Sequence, residues 1–98
     1  MSIQQYKPLH PGEFIKRVYL EPFNLSSNEL ARKLKMSAAQ VSRLLNCKSD
    51  LSPTVALKLS KVLGRSPESW LAMQDNFNLW QARKTIDLAE YETIEFAV

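Results

Sequence analysis

Two matching helix-start signals lie eleven residues apart in this chain, and they constrain its fold more than any other feature. Ser26-Ser27-Asn28-Glu29 and Ser37-Ala38-Ala39-Gln40 both have the capping-box spacing, in which a serine hydroxyl and the side chain three residues on satisfy each other's backbone N–H groups. An apolar stripe follows each box: Leu30, Ala31 and Leu34 after the first, Val41, Leu44 and Leu45 after the second. Two short helices are therefore expected to meet at a tight turn around Lys35, Met36 and Ser37.

The rest of the chain is punctuated in the same way. His10-Pro11-Gly12-Glu13 starts a first helix, with Pro11 where its missing N–H costs nothing. Phe14, Ile15 and Val18 form its apolar face, and Pro22 is expected to end it. Ser52-Pro53 starts a fourth helix whose Val55, Ala56, Leu59, Val62 and Leu63 recur at helical spacing, and Gly64 closes it. Ser66-Pro67-Glu68 starts a fifth, with Trp70, Met73, Phe77 and Trp80 as its stripe and Arg83 and Lys84 at its negative pole. After Thr85, alternation of Ile94, Phe96 and Val98 with Glu95 and Ala97 suits a short strand or extended arm. The fold expected is all-α: a five-helix domain over residues 1–84, with a pair of short helices joined by a tight turn at 26–46, then an acidic tail over 85–98.

With 98 residues, one small core is all the chain can build. Its 45% apolar and 23% charged residues exclude a disordered chain. No stretch reaches the roughly 18 apolar residues of a membrane span, and no apolar signal core follows the N-terminus, so a cytoplasmic protein without a membrane partner is expected.

The formal charge of +3 looks weak until it is divided: residues 1–25 carry +1, residues 26–65 carry +6 and residues 66–98 carry −4. The basic share coincides with the paired helices. Such asymmetry points to an anionic partner on one surface and a basic partner on the other.

A capped helix, a short turn and a second capped helix form the helix-turn-helix pattern, whose second helix enters the major groove of double-stranded DNA. In SAAQVSRLLN, Val41, Leu44 and Leu45 hold that helix to the core, leaving Ser37, Ala38, Ala39, Gln40, Ser42, Arg43 and Asn46 outward. Gln40 suits a bidentate pair with adenine and Arg43 one with guanine. Ser37 suits a phosphate or a base, and Ala38 and Ala39 permit close approach or meet a thymine methyl. Lys48, in the following loop, is placed for phosphate. Gln40 also has a plainer role, as the third residue of its own capping box. The DNA-binding residues expected are Ser37, Ala39, Gln40, Ser42, Arg43 and Lys48.

Residues 10–82 resemble the HigA-type antitoxins, a branch of the phage-repressor-like helix-turn-helix class. HPGE, VSRLL, LSP and SPESWLAMQDNFNLW carry the resemblance. It implies a protein that dimerises, represses its own operon and neutralises a HigB-like toxin, a small basic ribonuclease that cuts messenger RNA on the ribosome. It also implies that Ser37, Ala39, Gln40 and Arg43 face the operator, and it modestly favours a toxin surface on the first helix at Phe14, Lys16, Arg17 and Tyr19. A stand-alone repressor, or an adaptor that binds no DNA, is the alternative. The chain departs from the family at Asn46-Cys47-Lys48, where NGK is usual; either Asn46 takes the left-handed position or the loop differs.

Trp70, Met73, Phe77 and Trp80 are core candidates and, with residues 86–98, candidates for a dimer contact. The lone Cys47 and lone His10 stand at opposite ends of the helical core, so neither a nucleophile with its base nor a metal cluster is expected. No enzyme activity, metal or cofactor is foreseen.

Overall fold

The computed structural model describes residues 7–97, and the outermost bounds expected for the domain, residue 1, and for the tail, Val98, lie outside them. Five helices pack around one core among the described residues. Helix α1 begins as Pro11–Ile15, continues as a π-helical turn over Lys16–Leu20 and closes with Glu21–Phe23. Helices α2 (Ser27–Leu34), α3 (Ala38–Leu45), α4 (Pro53–Val62) and α5 (Pro67–Thr85) follow, with a 3₁₀ turn at Leu88–Glu90. Beyond it the tail is extended, and no strand forms among the described residues.

The caps explain the starts. Ser26, Ser37, Ser52 and Ser66 each accept a hydrogen bond from the backbone N–H three residues on. Only the second of the two boxes closes completely: Gln40 returns its carbonyl oxygen to the Ser37 N–H at 2.9 Å. Glu29 instead turns toward Arg32, 3.8 Å away, so the first box is half formed.

Two expectations for α1 are corrected by its π turn. Pro22 does not end the helix; it sits inside the last turn, where the Glu21 N–H reaches Lys16 and Pro22 has no N–H to place. The end comes at Asn24, left-handed at φ 52°, with the Leu25 N–H on the Leu20 carbonyl. The extra residue in the π turn also rotates the face. Val18 is exposed, whereas Ile15 and Leu20 are buried. Phe14 and Tyr19, five apart, come together with ring centroids 6.1 Å apart.

Gly12 was legible only as part of a helix start, yet it is a contact. A Cβ there would overlap the Leu44 carbonyl oxygen, because the first turn of α1 crosses the last turn of α3 at backbone distance. At the end of α3 the left-handed residue is Cys47, φ 61°, and not Asn46. The Lys48 N–H bonds the Arg43 carbonyl at 2.8 Å and the Cys47 N–H bonds that of Leu44 at 3.1 Å, the Schellman arrangement with a non-glycine at its left-handed position. Gly64, at φ 102°, does close α4 as expected.

Equilibrium unfolding in denaturant checks both positions. Gly12→Ala is expected to lose about 1–3 kcal/mol by forcing the two backbones apart, whereas Cys47→Gly is expected to gain about 1 kcal/mol by relieving a left-handed side chain.

Candidate nucleic-acid interface

The candidate surface is the outer face of α3. Val41, Leu44 and Leu45 are buried against α1 and α2, and Ser37, Ala38, Ala39, Gln40, Ser42, Arg43 and Asn46 are all exposed, as the apolar spacing requires. The turn of Lys35, Met36 and Ser37 sets the angle between α2 and α3, with Lys35 left-handed at φ 55° and the Met36 N–H on the Ala31 carbonyl. Met36 packs partly into the core.

The polar groups of this face are already engaged with one another. Ser37 Oγ accepts the Gln40 N–H at 3.1 Å, and Ser42 Oγ accepts from Asn46 Nδ2 at 3.3 Å. An Arg43 guanidinium N–H reaches the Lys48 carbonyl at 3.4 Å, which ties the reading helix to the loop behind it. The Lys48 side chain is exposed. Beside these residues a cleft of about 190 Å³ opens, lined by Met36, Gln40, Arg43, Leu44, Ser49, Asp50 and Val55.

That loop is held by a network the sequence did not disclose. Buried Gln74, on α5, accepts from the Leu51 N–H at 2.9 Å and donates to Asp50 Oδ1 at 3.2 Å and Asn78 Oδ1 at 3.1 Å. Asn78 Nδ2 donates to the other Asp50 oxygen at 3.2 Å. Its signal was present: Gln74 falls at i+4 from Trp70, a polar residue inside the apolar stripe of α5. A buried amide with every contact satisfied fixes a loop as firmly as apolar packing does.

Of the proposed α5 contacts, Trp70 is a core residue and not a surface one. It is 0% exposed, its Nε1–H donates to the Gly64 carbonyl at 2.9 Å, and Phe14 and Tyr19 stack against it. A second chain cannot touch its side chain without opening the fold. Met73, Phe77 and Trp80 are half-buried, with Trp80 flanked by Lys7 and Lys84 Nζ at 5.6 and 3.9 Å. On α1, Phe14 and Tyr19 are half-buried, Lys16 is partly covered, and Arg17 is exposed and paired with Glu13 at 2.7 Å. Arg65 lies over the Phe14 ring at 5.0 Å.

His10 caps α1: its Nδ1 accepts the Gly12 N–H at 2.9 Å, so the neutral ring carries its proton on Nε2, a buried atom with no hydrogen-bond partner. Burial holds the imidazole below its ordinary value of 6.5, outweighing the Asp50 carboxylate, the Ser49 backbone and Glu13, which favour the charged form. The Phe77 ring meets it edge-on at 5.1 Å. His10 therefore lies near Ser49 and Asp50, just after Cys47 in the chain, and not at the opposite end of the core as expected, because the start of α1 crosses the end of α3.

Two capped helices at a fixed turn, with the outer face of the second free, define a helix-turn-helix domain. The helix-turn-helix family model matches residues 16–70. The HTH-type transcriptional regulator YddM of Escherichia coli K12 is 40% identical over 79 residues, covering 81% of this chain and 83% of that protein. Antitoxin HigA-1 of Vibrio cholerae is 38% identical over 77 residues, covering 79% and 72%. The solved structure of antitoxin GraA in complex with its operator superposes with a TM-score of 0.81 at 28% identity, covering 100% of this chain and 99% of that one. The chain belongs to the helix-turn-helix family that includes the HigA antitoxins, a family of regulators and antitoxins and not of enzymes. Among the described residues no helix is long and apolar enough to cross a membrane.

A histidine with a depressed folded-state value binds its proton more readily in the unfolded chain, so it adds stability that is complete above about pH 6.5 and is lost as pH falls toward the folded-state value. Unfolding midpoints are expected to be level at neutral pH and above and to decline as pH falls below the ordinary histidine value of 6.5. His10→Asn, which keeps a capping acceptor but does not titrate, is expected to flatten that slope.

Proposed function

We propose that this chain is a HigA-type antitoxin that binds operator DNA as a dimer, represses its own operon and neutralises a HigB-like, mRNA-cleaving toxin. The observation that carries the reading is α3: its apolar side is wholly buried while Ser37, Ala39, Gln40, Ser42 and Arg43 stand exposed together on the other, in the most basic third of the chain. A major groove about 12 Å wide accepts such a helix, with Arg43 for a base and Lys48 for phosphate. The structural likeness to GraA with its operator supports the DNA partner. The HigA-1 likeness supports the toxin.

Dimerisation places two copies of α3 roughly 34 Å apart, one turn of DNA. The second half of α5 and the tail support a self-complementary contact: Leu79, Ile86, Leu88, Tyr91, Ile94 and Phe96 are exposed, Phe96 to 80%. Met73, Phe77 and Trp80, half-buried on the same helix, are the further candidates for this contact. The toxin reading uses the other end of the chain, where Phe14, Lys16, Arg17 and Tyr19 line α1.

Binding measured on operator and non-operator duplexes over a salt series tests the DNA role. Arg43→Ala is expected to cost about 1–3 kcal/mol on operator and to relax base choice, while Lys48→Ala weakens all duplexes alike and lowers the salt slope by about one. Two variants that bind like wild type would remove α3 as the reader. Sedimentation at micromolar concentration should give a dimer for the full chain and a monomer after deletion of residues 86–98. Toxin capture should survive that deletion and fail when Arg17 and Tyr19 are replaced by alanine.

A further inference from the structure

We infer that Gln40 reads its base only as a hydrogen-bond donor, so that the operator presents it with the acceptor edge of guanine and not with adenine. The inference rests on the operator-binding reading above. A glutamine that pairs with adenine uses both ends of its amide, the NH₂ toward N7 and the oxygen toward the N6 amino group. Here the oxygen is turned inward. Gln40 Oε1 takes the Ser37 N–H at 2.9 Å, while the Gln40 N–H binds Ser37 Oγ at 3.1 Å. Which end of the amide faces inward is fixed by chemistry, since a backbone N–H only donates and the oxygen must meet it.

The outward end is therefore Nε2, which donates to no protein group among the described residues. Gln40 is exposed and shares a face with Arg43, three residues on; both line the same cleft. Arg43 has no acceptor at all. The neighbouring hydroxyl oxygens each receive an N–H group: Ser37 Oγ from Gln40 and Ser42 Oγ from Asn46. Ala38 and Ala39 contribute methyl groups only. At the Gln40 end of the helix, α3 thus turns outward the donors of Gln40 and Arg43 beside two methyls; the Asn46 amide lies six residues further on. In the major groove, guanine alone sets two acceptors, N7 and O6, side by side, whereas adenine and cytosine each place an amino donor where the outward ends of Gln40 and Arg43 only donate. Correcting the adenine pairing expected from residue type, two neighbouring guanines per half-site are the match, one for Arg43 and one for Gln40.

Gln40→Glu separates the two duties. A glutamate at the third helical position still closes a capping box, yet it presents an acceptor where the amide presented a donor. Selection from a pool of duplexes with a randomised core is expected to enrich guanine at two adjacent positions with the wild-type protein. With Gln40→Glu, one of them changes to cytosine, whose N4 amino group a carboxylate accepts, and the other is retained. Thermal melting by circular dichroism should find the variant folded. A measurement that needs no variant runs beside it: replacing the Gln40 guanine by 7-deazaguanine, which lacks N7, lowers wild-type affinity about ten-fold. Adenine enriched at that position by the wild-type protein would mean that the box opens on DNA and would overturn the inference. So would an unchanged base preference in Gln40→Glu, or indifference to 7-deazaguanine. Failure of the wild-type protein to select any sequence is a different result: it removes the operator-binding reading, and this inference with it.

Discussion

Helix α3 is held from behind by a contact between two backbones. Gly12, in the first turn of α1, lies so close to the Leu44 carbonyl that no side chain fits between them. The approach brings the positive start of one helix to the negative end of another, a favourable meeting of helix poles. Each residue of HPGE then has its own task. His10 caps the helix, Pro11 occupies a position that needs no N–H, Gly12 permits the approach, and Glu13 places a carboxylate in the first turn and holds Arg17. A larger residue at the third of these positions would tilt α3 against α2, and the angle at which α3 stands out from the domain would change with it.

The second support comes from the far end of the chain. Gln74 and Asn78 on α5 grip Asp50 and the Leu51 N–H, so the loop that carries Lys48 is anchored to the longest helix. His10 sits beside this junction, near Asp50 and against Phe77. The start of α1, the loop after α3 and the middle of α5 therefore converge on one small region, and α3 is framed by it. Contacts that span the sequence in this way make the interface a property of the whole fold and not of the helix pair alone.

The helices were legible because their starts are written in local chemistry. Ser26, Ser37, Ser52 and Ser66 cap within three residues, and apolar spacing at 3.6 residues per turn names the buried side of α3 correctly. What stayed hidden depends on distant partners or on competing geometry. The π turn at Lys16–Leu20 moved Val18 out and Tyr19 in, which a regular helical period cannot register. The crossing at Gly12 involves a residue thirty-two positions away. Trp70 suited a core first and a partner contact second, and the packing of Phe14 and Tyr19 around it decides for the core. At Cys47 the sequence left two residues to choose from for one left-handed position, and the hydrogen bonds from Lys48 and Cys47 select the second.

The closed box at the start of α3 has an evolutionary side. Ser37 and Gln40 are needed to begin the helix, so a residue exposed on the outer face of α3 is also one the fold depends on. Asparagine is too short to return to the Ser37 N–H, and arginine or lysine brings no acceptor; glutamine and glutamate alone serve both the fold and the groove. The vocabulary at this position is thus two letters long. Arg43 is held only by its long 3.4 Å bond to the Lys48 carbonyl and takes no part in starting the helix, so the fold restricts that residue less than its neighbour one turn earlier.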